Sequence, residues 1–348
     1  MVKSEVKNIL TFPNGLRFAL KQTSSQVAYC ALSIRCGTSA EPEKLGGLAH
    51  LTEHMLFKGT SHRSSASIND RLERLGGELN AFTGKEETVY YCTTLRQHLG
   101  RAIDLLLDIA LESTFPQQEV EREVEVVIDE IESYKDQPSE LIYDEFESML
   151  FPGHPLGRNI LGSADRLRQF VSADMLRFVR RLYHPERMVL FVYGRVDIEG
   201  ILRMVEKRPA SDRLSPGRPS PDRLSPGPSL AGRGETRSLS TNQAHVMMGC
   251  RTFSATDPRH YALYLLNNLL GGPAMSSRLN MSLRERHGLV YTVESHMASY
   301  TDAGLWRVYF GCDHLDVKRC RRLVVQELKR LCDAPLSQRT LDAARRQM

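Results

Sequence analysis

Hydrophobic side chains along the chain keep two rhythms, every second residue in some stretches and every third or fourth in others. Arg17–Gln22 and Val27–Ile34 follow the first rhythm behind a Pro13-Asn14-Gly15 turn, which predicts two strands. Leu45–Phe57 reads as a helix stopping at Gly59, and Ser67–Leu75 as another closed by Gly76-Gly77. Two further strands, Glu78–Thr83 and Glu87–Thr94, flank Gly84-Lys85. Helical spacing then runs through Leu95–Glu112, Pro116–Tyr134, Ser139–Leu150 and Ala173–Leu182, with Pro116 acceptable in a first turn. The apolar run Met188–Tyr193 reads as a buried strand. A later stretch repeats the scheme: strand His245–Cys250, helices Arg259–Leu270 and Met275–Arg286, strands Thr292–Ser299 and Gly304–Cys312, helix Val317–Leu331. Hairpin-linked strands mixed with helices predict an α+β fold rather than a doubly wound parallel sheet.

Between the two halves, 209–234 is rich in Pro, Gly, Ser and Arg and has no hydrophobic period. It carries DRLSPG at 212–217 and again at 222–227. Such a stretch buries too little apolar surface to offset its ordering entropy, so it reads as an exposed linker. The expected organisation is therefore 1–207, a linker at 208–237, and 238–348. The last helical pattern, Ser337–Met348, is still running where the chain stops, which leads to the expectation of a second half incomplete at its C-terminus.

Composition excludes more than it selects. The net charge is +4, and the stretch from Lys207 to Arg237, with seven basic and three acidic residues, accounts for all of it. A neutral remainder argues against a nucleic-acid binder. The longest apolar run is six residues, against about 20 for a bilayer span, so no membrane role is expected. The first thirty residues lack the marks of a secretion signal. Seven scattered cysteines without C-x-x-C spacing predict neither disulfides nor a cysteine zinc site. A reducing cytoplasm, bacterial for want of a presequence, is the expected setting.

The sharpest chemical feature is His50-Leu51-Thr52-Glu53-His54, inside the first predicted helix. Histidines at i and i+4 share a helix face about 6 Å apart along the axis, so both imidazoles reach one metal ion. Glu53 beside them is placed to take a proton from water. A catalytic zinc needs a third protein ligand. The helix at 116–134 offers Glu121, Glu123, Glu125, Asp129, Glu130 and Glu132, and spacing alone does not choose among them.

The H-x-x-E-H motif with this acidic helix resembles the M16 family of zinc peptidases, the inverzincins that include pitrilysin, insulysin and mitochondrial processing peptidase. Gly46-Gly47-Leu48-Ala49 and Phe57-Lys58-Gly59-Thr60 flank the motif as in that family. Gly77-Glu78-Leu79-Asn80-Ala81-Phe82-Thr83, Leu156-Gly157-Arg158-Asn159-Ile160-Leu161-Gly162 and Tyr183-His184-Pro185 are also family-like. Ser276-Ser277-Arg278-Leu279, Leu283-Arg284-Glu285 and Gly288-Leu289-Val290-Tyr291 resemble its distal signature.

The resemblance implies two homologous α/β-sandwich repeats, each a mostly antiparallel sheet with helices. The first would be catalytic and the second inactive, since no second H-x-x-E-H occurs. At the family's spacing the third ligand falls on Glu130, completing His50, His54 and Glu130 around one Zn2+ per chain. Glu123 matches a supporting glutamate, and Arg284 and Tyr291 match polar groups that reach the scissile carbonyl. Phe57 would wall the pocket for the residue after the cut. Asn80, Ala81 and Phe82 lie on the strand that takes the substrate backbone. Glu140 and Asp144, at i and i+4, match acidic positions of the processing peptidases and imply a basic residue near the cut.

The implied activity is zinc-dependent endopeptidase action on peptides or unfolded segments by a homodimer, with Glu53 as general base. One alternative is a non-catalytic or partner-dependent substrate-binding subunit, against which the intact His50, Glu53, His54 and Glu130 set speaks. Another is an acidic-helix protein with a structural metal, which leaves Glu53 and the distal signature without explanation.

Overall fold

The structure, a computed structural model, describes residues 8–206, 234–239 and 241–347. These form two compact units, 8–133 with 153–206, and 134–152 with 234–347. The expected linker at 208–237 falls for the most part outside the described residues.

Six strands build the sheet of the first unit: β1 (Asn8–Thr11), β2 (Arg17–Lys21), β3 (Val27–Ile34), β4 (Glu78–Thr83), β5 (Thr88–Leu95) and β6 (Met188–Tyr193). Their order is β1-β2-β6-β3-β5-β4, antiparallel except for the β2–β6 pair. The alternation in β3 buries Ala28, Cys30, Leu32 and Ile34. In β5 the matching positions bury Thr88, Tyr90, Cys92 and Thr94, so both strands turn the same face inward. Against that face packs α3 (Leu99–Glu112), with Ile103, Leu105, Leu106 and Ile109 fully enclosed. The strand β4 closes one margin of the sheet and pairs only with β5 among the described residues.

The remaining helices of this unit are α1 (Leu48–Met55), α2 (Ser65–Glu73), α4 (Gln117–Lys135, its last turn running into the second unit), α6 (Ala164–Leu167), α7 (Ser172–Leu182) and α8 (Ile198–Glu206). Neither β1 nor α8 was expected from the hydrophobic pattern.

Nearly all of α1 is buried. Its first turn has no side-chain cap of its own; the carboxylate of Glu41 accepts from the N–H groups of Gly47 (3.2 Å) and Ala49 (2.5 Å). Gly47 holds φ +95°, and a Cβ there would meet the Leu161 carbonyl at 2.7 Å. The loop ending at Gly162 thus lies directly on the helix start.

The second unit contains α5 (Pro138–Leu150), which packs on β7 (Ala244–Thr252). Arg251 Nε donates to the Leu150 carbonyl at 2.6 Å, and Arg307 pairs with Glu147 at 2.8 Å. A three-stranded antiparallel sheet runs β7-β9-β8, with β8 at Val290–Ser299 and β9 at Gly304–Cys312. The helices α9 (Arg259–Gly271), α10 (Val317–Asp333) and α11 (Gln338–Gln347) complete the unit. Its core gathers Leu270, Leu279, Leu283, Val308, Phe310, Cys320 and Val324.

The helix expected at Met275–Arg286 is shorter and wider. It forms a π-helical turn over Asn280–Glu285, where the Ser282 carbonyl is taken up by His287 Nδ1 at 2.6 Å. The fold is α+β with mostly antiparallel sheets. No helix among the described residues is long and apolar enough to cross a membrane.

Candidate metal centre

Two helices meet at the site, α1 carrying His50, Glu53 and His54, and α4 carrying Glu123 and Glu130. Their register is set by the chain after α1, which binds back to the α3–α4 junction. Thr114 N–H donates to the Gly59 carbonyl at 3.2 Å, and Ser61 N–H to that of Glu112 at 2.9 Å. Beneath this loop the enclosed Asp108 accepts from Thr60 Oγ1 and His62 Nδ1, both at 2.9 Å, and pairs with Arg63. Phe115 then takes φ +53° with its ring fully buried, immediately ahead of Pro116 and the start of α4.

The i,i+4 spacing stacks the His50 and His54 rings with centroids 4.6 Å apart. Glu130 Oε2 stands 3.8 Å from His50 Nε2 and 3.7 Å from His54 Nε2, and all three ligand atoms lie within 4.8 Å of one another. Ligands about 2.1 Å from a tetrahedral ion stand roughly 3.4 Å apart, so each histidine nitrogen stands within a few tenths of an ångström of that spacing from Glu130. His54 Nδ1 donates to Glu123 Oε1 at 3.0 Å, which leaves Nε2 with its lone pair toward Glu130 and His50. Lys58 Nζ meets the other Glu123 oxygen at 2.5 Å. Two neutral imidazoles and a carboxylate are the donor set of a catalytic zinc with one position left open.

Electrostatics follow from burial and neighbours. Burial, with His54 adding, lowers His50 to about 3 and keeps it a neutral donor. Burial also disfavours charge on His54, but the Glu123 hydrogen bond and the carboxylates of Glu53, Glu123 and Glu130 raise it. Burial raises Glu130 against the pull of His54. It raises Glu53 as well, with Glu130 adding and Thr83 and His54 opposing. For Glu123 the hydrogen bonds from His54 and Lys58 outweigh burial and hold it below the ordinary carboxylate range.

The six acidic residues of α4 that spacing left undecided separate cleanly. Glu121, Glu125, Asp129 and Glu132 are exposed, whereas Glu123 is buried and Glu130 half-buried, two turns apart on the inner face. Phe57 packs half-buried on Tyr90, ring centroids 6.2 Å apart. On the margin strand β4, Asn80 and Phe82 are exposed and Ala81 turns toward the core.

The other expected residues lie on the second unit. Glu140 is exposed and Asp144 half-buried on α5. Arg284 and Tyr291 come together, the guanidinium 5.7 Å from the ring centroid. Tyr291 is 81% exposed, on the outward side next to the buried Val290, at a register shift between Val290 and Val293. Sequence reasoning missed Lys58 and Thr83 as site residues. Thr83, which donates to Glu53 Oε2, could have been found as a hydroxyl at an inward position of β4 after Leu79 and Ala81.

Comparison with known proteins agrees with this geometry. Residues 17–164 match the family profile described as Insulinase (Peptidase family M16), and 169–348 match the Peptidase M16 inactive domain. The uncharacterized zinc protease YmxG of Bacillus subtilis is 33% identical over 340 residues, 97% of this chain and 81% of that protein. An uncharacterized zinc protease of Streptomyces coelicolor is 34% identical, over 94% of this chain and 72% of that protein. In fold, a protease from Helicobacter pylori superposes with a TM-score of 0.87 at 21% identity, covering 97% of this chain and 82% of that one. A peptidase M16 inactive domain structure from Pseudomonas fluorescens superposes with a TM-score of 0.84 at 20% identity, covering 98% and 82%. With a ligand set shaped for zinc, a zinc-protease kinship across most of its length and both domain profiles in one polypeptide, the chain belongs to the M16 family of zinc metallopeptidases.

Proposed function

We propose that this protein is a zinc-dependent endopeptidase that cuts peptides or unfolded segments within the chain. The observation that carries the reading is the convergence of His50 Nε2, His54 Nε2 and Glu130 beside the buried carboxylate of Glu53. Bound zinc supplies Lewis acidity, polarising the scissile carbonyl and making a water acidic near neutral pH. Glu53 accepts that water's proton and delivers it to the leaving amine. Glu123, tied to Lys58, holds the His54 ring in its ligating orientation. The margin strand β4 offers main-chain groups to an extended substrate, with Asn80, Ala81 and Phe82 along it and Phe57 walling the pocket beyond the cut.

The reading also gives Arg284 and Tyr291 a role at the developing oxyanion; their mutual contact and the exposure of Tyr291 support it. Glu140 and Asp144 would favour a basic residue near the cut, an assignment supported by their shared face on α5. Homodimeric assembly is supported by the presence of both domain profiles in one chain. Seven free thiols and bacterial relatives support a reducing cytoplasm.

The test pairs zinc content with cleavage of quenched fluorescent peptides by wild type and Glu53→Gln. One zinc per chain is expected in both, with kcat lower by at least about a hundredfold in the variant. Arg-containing peptides should be cut faster than their Ala counterparts. Zinc without cleavage in the wild type would favour the partner-dependent subunit. Equal activity in Glu53→Gln would remove Glu53 from the chemistry, and equal rates on the Arg and Ala peptides would remove the role of Glu140 and Asp144.

A further inference from the structure

The base has a tether that the chemistry above does not use. Thr83, the last residue of β4, points its hydroxyl inward and donates to Glu53 Oε2. A hydroxyl has one proton to give, and the other acceptor nearby is Thr88 Oγ1, 3.5 Å away across the β4–β5 pair. Thr88 gives its own proton to the Cys36 carbonyl at 2.7 Å and offers Thr83 only lone pairs at long range. The carboxylate is the stronger acceptor, so the direction of the bond is fixed from Thr83 to Glu53.

Behind the pair the wall is closed to solvent. Thr88, Tyr90 and Tyr183 are fully buried, the two phenol oxygens 3.1 Å apart and bonded to each other. Among the described residues no other hydrogen-bond donor reaches the Glu53 carboxylate.

We propose that Thr83 is the positioning residue of the catalytic base. Its hydroxyl fixes one carboxylate oxygen and so presents the other to the water whose proton Glu53 takes; the inference rests on the reading of Glu53 given above. A glutamate has three side-chain torsions, and a buried one without this bond would spread over several rotamers. The tether also joins two parts of the reaction. The strand offered to the substrate backbone and the group that activates water are linked through one residue, so displacement of the strand end displaces the base.

Thr83→Val keeps the shape and removes only the hydroxyl, whereas Thr83→Ser restores the donor. With peptide substrate, Thr83→Val should lower kcat on the order of 10- to 100-fold, the cost of a misplaced catalytic group, with KM within about twofold. Zinc should stay at one per chain, and Thr83→Ser should recover most of the rate. A second readout needs no activity: urea midpoints of the metal-free protein with Thr83→Val, Glu53→Ala and both together. The loss caused by Thr83→Val should shrink when Glu53 is absent.

Wild-type kcat in Thr83→Val overturns the proposal, as does a loss that Thr83→Ser fails to recover, since that would be packing. A wild-type chain that cleaves nothing counts against the peptidase reading rather than the tether. The stability cycle then decides the tether, and additive midpoints overturn it.

Discussion

Glu123 divides its carboxylate between two donors, one oxygen to His54 Nδ1 and the other to Lys58 Nζ. That division makes it both an orienting acceptor and a paired charge, which is why it is held ionised despite burial. Removing it frees the His54 ring and leaves Lys58 without this partner. Glu123→Ala should therefore weaken zinc about 10- to 100-fold, read by competition with a chromophoric chelator, with Glu123→Gln in between because the amide oxygen still accepts from His54. Unchanged affinity in the alanine variant would show that His54 needs no second partner. At this scale the sequence was legible where chemistry is local. His50, Glu53 and His54 announce themselves because one helix turn brings i and i+4 together. The choice of Glu130 among six acidic neighbours depended on family resemblance, because burial of the α4 face is decided by packing that spacing does not encode. Thr83 and Glu41 act from 30 and 8 residues away on Glu53 and Ala49, beyond any local rule.

The helices α1 and α4 are joined directly by the His54–Glu123 bond and held in register by the chain that follows α1. Asp108, on α3, gathers Thr60, His62 and Arg63 of the chain that follows α1. Burial alone would raise its pKa, but the hydrogen bonds from Arg63, Thr60 and His62 outweigh it and hold the carboxyl below the ordinary value. A folded pKa depressed below the unfolded one adds stability that is complete above the unfolded pKa of about 4 and fades as pH falls through the folded value. Asp108→Asn should thus cost about 3 kcal/mol at pH 7, the usual consequence of stripping one partner from an enclosed ion pair. Urea midpoints should keep that gap between wild type and variant down to about pH 4.5 and lose it below pH 4. A gap already closing between pH 7 and 5 would show that the Asp108 carboxylate does not carry the effect. Strands read from their patterning, such as Val27–Ile34 and Glu78–Thr83, and Met188–Tyr193, read from its apolar run, were legible to the residue. The short edge β1 has too few residues for a period to show. The turn at Asn280–Glu285 keeps helical spacing in its sequence, which does not distinguish a π winding from an α winding.

Chain order does not equal spatial order in the whole molecule. Glu140 and Asp144 follow Glu130 closely, yet α5 that carries them packs on β7 through Arg251–Leu150 and Arg307–Glu147 and belongs to the second unit. No single-sequence pattern records such a crossing, because it is a choice of packing partner for an amphipathic helix that could serve either unit. The metal site, by contrast, is wholly the first unit's: His50, His54 and Glu130, the base Glu53, its tether Thr83 and the support Glu123 all lie within 8–133. An ion that binds only the folded site stabilises what holds that site, by about 4 kcal/mol when free zinc exceeds its dissociation constant a thousandfold. For a unit of this size that corresponds to roughly 8–16 °C in melting temperature. Amide exchange should therefore slow on adding zinc to chelator-treated protein, most strongly in α1, α4 and β4, which carry the ligands, the base and the tether. The strands β7 and β9 contribute no ligand and should exchange at the same rate with or without the ion. Equal slowing in β7 and β9 would mean that the second unit shares the binding free energy, and the separation of the two units in stability would fall with it.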